Sequence, residues 1–272
     1  MKIHLLLIDP QRDFCDPNGA LYVPGAAEDM KRLARLIDRL RDKIDDIHVT
    51  VDSHQEIDIS HPIWWKDSAG RHPGAFTLIS AADVEAGRWT TTMPGAFRRS
   101  LDYLRTLDAS GRYPHTIWPY HCIIGSEGHA VDATVRDSIH AWCDRRFAMV
   151  DYVTKGSNPW TEHFSGVKAE VPDASDPGTQ LNTRLIRTLE EADLILLAGE
   201  ALSHCLANTV RDVVAEFSDP AYVKKMVLLV DASSPVPDPP AAPGLFSGLT
   251  SRFLTDMRKL GMRTSDCQSF LA

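Results

Sequence analysis

The sequence predicts an α/β protein built on a doubly wound, mostly parallel sheet with helices on both faces, a Rossmann-like three-layer arrangement. Two observations carry this. Continuous apolar runs recur at 3–8, 47–51, 147–153, 194–198 and 226–230, and runs without polar alternation suit strands covered on both faces. Segments of helical periodicity lie between them, and alternation of strand and helix is the pattern of a parallel sheet with crossover helices. A chain of 272 residues, 43% of them apolar, can bury the core of one such unit, so residues 1–272 are expected to form one domain.

The run 3–8 is closed by Asp9; it is too short and too soon acidic for a signal peptide or membrane span, and reads as a buried strand. In 26–44, Met30, Leu33, Leu36, Ile37 and Leu40 fall on one helical face. Residues 62–117 break the rhythm with Trp64-Trp65, Gly and Pro turns, a short polar strand near 88–92 and a helix-like stretch 97–107. They read as an insertion. Further helices are expected at about 130–145, 180–191, 204–217 and 249–260. The run Pro235-Val-Pro-Asp-Pro-Pro-Ala-Ala-Pro243 is an irregular surface connection, because each Pro fixes φ and lacks a donor.

With 37 acidic against 29 basic residues and a net charge of −8, the chain is poorly suited to nucleic acid or anionic membrane, both of which need clustered Lys and Arg. A small-molecule partner is expected instead. Cys15, Cys122, Cys143, Cys205 and Cys267 are odd in number and irregularly spaced, which indicates neither a disulfide framework nor a Cys-zinc site and fits a reducing cytoplasm.

In open α/β sheets ligands bind beyond the carboxyl ends of the strands. Four expected strands end in chemistry-bearing residues: Asp9, Asp52-Ser53-His54, Lys155, and the turn Ser203-His204-Cys205. Each alone is also an ordinary turn or capping residue. Cys205 stands where a helix begins, a position whose free N–H groups favour the thiolate. Asp52 and His54 with one more imidazole suit a divalent metal that keeps positions open for water or substrate. The further ligand is open among His61, His72, His115, His121 and His129.

Several segments, in order, resemble the isochorismatase-like cysteine hydrolases, and among them the nicotinamidases. Leu7-Ile-Asp-Pro-Gln-Arg-Asp-Phe14 with Gly19-Ala-Leu21 looks like that family's opening signature, Val51-Asp-Ser-His54 like its metal-binding Asp-x-His, and Trp118-Pro-Tyr-His-Cys122 like the segment that supplies another metal histidine. Tyr152-Val-Thr-Lys155 with Phe164-Ser-Gly166 resembles the segment of the catalytic lysine, and Gly199-Glu-Ala-Leu-Ser-His-Cys205 the nucleophile turn.

The resemblance implies a catalytic Asp9, Lys155 and Cys205, and metal ligands Asp52, His54 and His121. His61 matches a histidine that coordinates metal in some members, across a loop one residue longer here. It also implies a cis peptide before Ala201 that aims the backbone N–H groups of Ala201 and Cys205 into one oxyanion hole, and a ring-stacking pocket of Phe14, Leu21, Trp118 and Phe164. Glu200 stands where nicotinamidases usually carry a small apolar residue; it is placed at the pocket as a contact for a polar substrate, with a carboxylate that simply points away as the alternative. The implied reaction is hydrolysis of a small amide to an acid and ammonia, nicotinamide to nicotinate first, with carbamoyl, ureido or maleamate-type amides as the rival substrates and a catalytically silent metal-binding member as a separate reading. The metal is zinc, with iron or manganese open, and a homo-oligomer is left open.

Overall fold

The computed structural model describes residues 1–271. Six strands, β1 (Ile3–Ile8), β2 (Ile44–Asp52), β5 (Asp151–Lys155), β6 (Leu194–Gly199), β7 (Met226–Leu229) and β8 (Arg263–Ser265), form one sheet in the order β5-β2-β1-β6-β7-β8. Every neighbouring pair is parallel. β3 (Trp65–Lys66) and β4 (Thr90–Thr91) make a separate antiparallel pair. The helices are α1 (Arg12–Cys15), α2 (Ala26–Leu40), α3 (Ala81–Glu85), α4 (Phe97–Ser110), α5 (Ala133–Arg146), α6 (Thr183–Glu190), α7 (Cys205–Glu216) and α8 (Leu245–Leu260). Among the described residues no helix is long and apolar enough to cross a membrane.

β1 and β6 are buried at every position, as runs flanked by strands and helices must be. The chain winds from β1 outward to β2 and β5, then returns to the other side of β1 with β6. The crevice between β1 and β6 is therefore the topological switch point, where open α/β sheets bind ligands. At that crevice Gly199 pairs with Ile8 and has φ +107°; a Cβ there would lie 2.1 Å from the Ile8 carbonyl oxygen. Only glycine fits so close a backbone approach at positive φ.

Several expected boundaries moved by a few residues, and two of the shifts have a visible cause or consequence. The helix read over 26–44 stops at Leu40, and Ile44 already belongs to β2. The strand read over 147–153 starts only at Asp151, because Phe147 caps α5 in the left-handed region (φ 49°) and, like Met149, is exposed to solvent. Residues 62–117 supply most of a second buried cluster, in which Trp64, Trp65, Ile79, Leu104 and Ile117 pack with Ile59. The Trp64 indole donates to Ser100 Oγ and that of Trp65 to the Ile59 carbonyl, so both large rings are buried with their polar edge satisfied.

Candidate active site

All four strand-end residues expected to carry chemistry meet at one point, because parallel strands deliver their carboxyl ends to the same edge. Asp52 pairs with Lys155 across β2 and β5, while Asp9 follows β1 and Cys205 opens α7 beyond β6. Lys155 is buried, with Nζ 2.9 Å from Asp9 Oδ2, 2.9 Å from Asp52 Oδ1 and 3.6 Å from Cys205 Sγ. Thr50 Oγ1 donates to Asp9 Oδ1 at 2.5 Å and fixes that carboxylate.

Burial opposes the Lys155 charge, but the Asp52 and Asp9 carboxylates outweigh it and hold the ammonium well above the usual lysine range. Burial also pushes Asp9 up, against the pull of Lys155. It pushes the Cys205 thiol well above the usual thiol range, again against Lys155. The thiolate expected from a helix start is thus overridden by desolvation, which disfavours the charged sulfur in a buried site. Burial favours the uncharged form of this sulfur, and Asp9 and Lys155 are the groups placed to exchange a proton with it.

Asp52, His54 and His121 are all buried and present one ligand atom each within 4.8 Å of one another. His54 Nε2 lies 3.2 Å and His121 Nε2 3.5 Å from Asp52 Oδ2. The His54 Nδ1 meets Asp58 Oδ2 at 3.1 Å, a carboxylate–imidazole pairing that orients metal-binding histidines. His61 stacks beside both imidazoles, at ring separations of 5.2 and 5.7 Å, and its Nε2 is buried without a partner. Donors of nitrogen and oxygen type, one of them orphaned, fit a divalent metal. The other candidate histidines do not join: His72 bonds with the Trp65 carbonyl, His115 with that of Ile59 and His129 with Ser53 Oγ.

A cavity over Cys205 is lined by Phe14, Leu21, Trp118 and Phe164, as expected, together with Ala201, Asp52 and His121. Glu162, His204 and Val236 line it too, and sequence reasoning missed them. The Trp118 indole donates to Glu162 Oε2 at 3.0 Å, and burial raises that carboxyl to about 7. His204 is packed edge-on to Phe246 (4.4 Å between ring centroids) and held near 3 by burial, so it is a neutral aromatic wall. Its place next to Cys205 in the chain was the only available signal.

Glu200 is corrected. It is fully buried and absent from the cavity lining; its carboxyl turns the other way and accepts the Ser234 N–H at 3.0 Å. The Glu200–Ala201 peptide is cis, as expected, and neither the Ala201 nor the Cys205 N–H is bonded within the described residues.

No family model matches the chain. The nicotinamidase of Escherichia coli (strain K12) is 28% identical over 212 residues, covering 77% of this chain and 75% of that one. The yeast nicotinamidase superposes with a TM-score of 0.63 at 18% identity, covering 97% of this chain and 99% of the other. A Pyrococcus horikoshii pyrazinamidase solved in complex with zinc gives 0.56 at 20% identity, covering 98% and 99%. The chain has the fold of these solved structures. That fold is the one nicotinamidases share, and the cysteine, lysine and two aspartates described above lie at the switch point of its sheet.

Proposed function

We propose that this protein is a metal-containing cysteine amidohydrolase acting on carbon–nitrogen bonds other than peptide bonds, and that it converts nicotinamide to nicotinate and ammonia. The observation that carries the reading is the buried Lys155 ammonium joining Asp9, Asp52 and Cys205 beneath an aromatic-walled cavity. A lysine is tolerated there only because carboxylates compensate its desolvation, and a nucleophile, a base and a cation gathered in one cleft are what acyl transfer requires.

In this reading Asp9 accepts the Cys205 proton as Sγ bonds to the amide carbon. The oxygen that becomes negative is taken by the free N–H groups of Ala201 and Cys205, each donor contributing about 3 kcal/mol to the transition state. Collapse breaks the C–N bond, Asp9 returns its proton to the leaving nitrogen, and ammonia departs. Water then attacks the thioester carbon while Asp9 takes its proton; the acid leaves and Cys205 regains its hydrogen. Phe14, Trp118, Phe164 and Leu21 sandwich a flat ring in the cavity.

Asp52, His54 and His121, with His61 as a fourth donor, would hold the metal. Zinc is the ion proposed, since the set is of nitrogen and oxygen type and open to a further ligand. When bound it supplies a positive charge that orients the substrate or a water molecule. The five free cysteines support a reducing cytoplasm as its place.

The test is ammonia release from the purified protein on nicotinamide, pyrazinamide and linear amides, with metal content determined on the same sample. Nicotinamide turned over faster than the linear amides, with about one equivalent of divalent metal, is the expected result. Activity on linear amides alone moves the substrate to the carbamoyl or maleamate type.

A further inference from the structure

We propose that Glu200 is a positioning residue for the amide hydrolysis: its buried carboxyl clamps the turn that carries Ala201 and Cys205 to the segment after β7 and to α2. The inference rests on the hydrolase reading above.

Glu200 contributes half of the peptide group whose N–H belongs to Ala201. Its own backbone N–H donates to the Ile8 carbonyl at 2.7 Å, and its Oε2 accepts the Ser234 N–H at 3.0 Å. The Ser234 carbonyl accepts the Leu202 N–H at 2.9 Å, and Val236 N–H donates to Ser203 Oγ at 3.0 Å. Residues 200, 202 and 203 of the turn are therefore each tied to 234–236. Ser234 Oγ in turn donates to Asp29 Oδ2, and Arg32 on the same helix donates to Asp29 Oδ1, both at 2.5 Å.

The remaining oxygen of Glu200, Oε1, is buried and accepts no hydrogen bond, while the Asp29 carboxylate lies beside the group. Two carboxylates in contact and out of water do not both ionise. A protonated Glu200 could donate from Oε1 towards Asp29 while Oε2 accepts from Ser234. Burial and Asp29 both push its pKa well above the ordinary carboxylate range, which agrees. An apolar side chain would leave the Ser234 N–H and the Asp29 carboxylate without these partners. Glutamine can replace both bonds, with its amide NH₂ to Asp29 and its carbonyl to Ser234.

The experiment compares wild type, Glu200→Met and Glu200→Gln in steady-state nicotinamide hydrolysis and in inhibition by nicotinaldehyde, whose adduct with Cys205 puts an oxygen where the oxyanion develops. Glu200→Met is expected to lower kcat by about tenfold to a hundredfold with KM changed less than about threefold, and to weaken nicotinaldehyde in parallel with kcat/KM. Glu200→Gln should restore kcat to within about threefold of wild type. A Glu200→Met enzyme with wild-type kcat, a rise in KM at constant kcat, or a Glu200→Gln variant no better than Glu200→Met each overturns the proposal. If Glu200→Met does not fold, Glu200→Ala and Glu200→Leu are compared with Glu200→Gln in its place: a several-fold lower kcat at constant KM in whichever apolar variant folds supports the proposal, and kcat equal to that of Glu200→Gln overturns it. A wild type without amidase activity defeats the hydrolase reading and this inference with it, whereas an active wild type and an unaffected Glu200→Met defeat this inference alone.

Discussion

Lys155→Met removes a buried cation while keeping most of its volume, and the structure sets both the size and the pH dependence of the result. The side chains of Lys155 and Asp9 are 1% and 0% exposed, so water does not screen the loss. Asp52 retains His54 and His121 as neighbours, which leaves Asp9 as the orphaned charge. Asp9 escapes by taking up a proton. Relative to an unfolded pKa near 3.9, that costs at most roughly 4 kcal/mol at pH 7 and about 1.5 kcal/mol at pH 5, at 1.36 kcal/mol per pH unit. The usual penalty for breaking a buried pair, about 3–5 kcal/mol, is of the same size. The sign follows: the variant's Asp9 has a folded pKa above its unfolded one, so its protonated form stabilises the fold fully below about pH 4, and that contribution is lost as pH rises. Thermal unfolding should show a deficit of about 8–16 °C at pH 7 shrinking to about 3–6 °C at pH 5. A deficit that is absent, or that grows as pH falls, refutes Lys155 as the counter-charge of Asp9.

Asp9→Asn should lower kcat for ammonia release by about 10²–10⁴-fold while circular dichroism and metal content stay at wild-type levels; near-normal turnover removes Asp9 from proton transfer. Because burial raises the Cys205 thiol, its alkylation by iodoacetamide should keep accelerating through and above the ordinary thiol range, and a rate already at its plateau by pH 7 would mean a resting thiolate. Asp58→Asn breaks the carboxylate contact behind His54 and should weaken metal affinity by about 10–100-fold in a chelator competition, with no change in affinity as the contrary result. Gly199→Ala would put its Cβ onto the Ile8 carbonyl at a positive φ, so soluble yield and melting temperature should both fall; a variant as stable as wild type would contradict the close approach of β1 and β6.

The residues that meet at the site were legible because their strands were. Runs such as Leu5-Leu-Leu-Ile8 and Ile195-Leu-Leu-Ala198 have no polar alternation, so they belong inside a parallel sheet, and such a sheet aims Asp9, Asp52, Lys155 and Cys205 at one edge. Short or polar elements gave no comparable signal. β8 is Arg263-Thr-Ser265, a largely exposed edge strand, and β3 pairs with β4 from a position about 25 residues away. The helix start at Cys205 is visible in sequence whereas its burial, which opposes the thiolate, is not. Sequence could not choose between the two orientations of Glu200 for a related reason: its position beside Ala201 is local, but the direction of its carboxyl is set by Ser234, distant in the chain.

The insertion shows the same limit and adds a consequence. Its last residues reach the nucleophile element directly: the Tyr113 hydroxyl donates to the Ser203 carbonyl at 2.6 Å, and Arg112 donates to Asn208 Oδ1 at 2.8 Å and lies 3.1 Å from Asp212 on α7. Tyr113 is buried, with its ring against Phe164 and His204 of the cavity wall. Tyr113 is desolvated and paired, and Arg112, although partly exposed, pairs with the buried Asn208 and Asp212, so loss of either residue would leave buried polar atoms of 203–212 without a partner. The stretch that interrupts the strand–helix rhythm therefore ends as part of the support of α7, and changes within 112–113 are expected to reach the chemistry through Ser203 and Asn208.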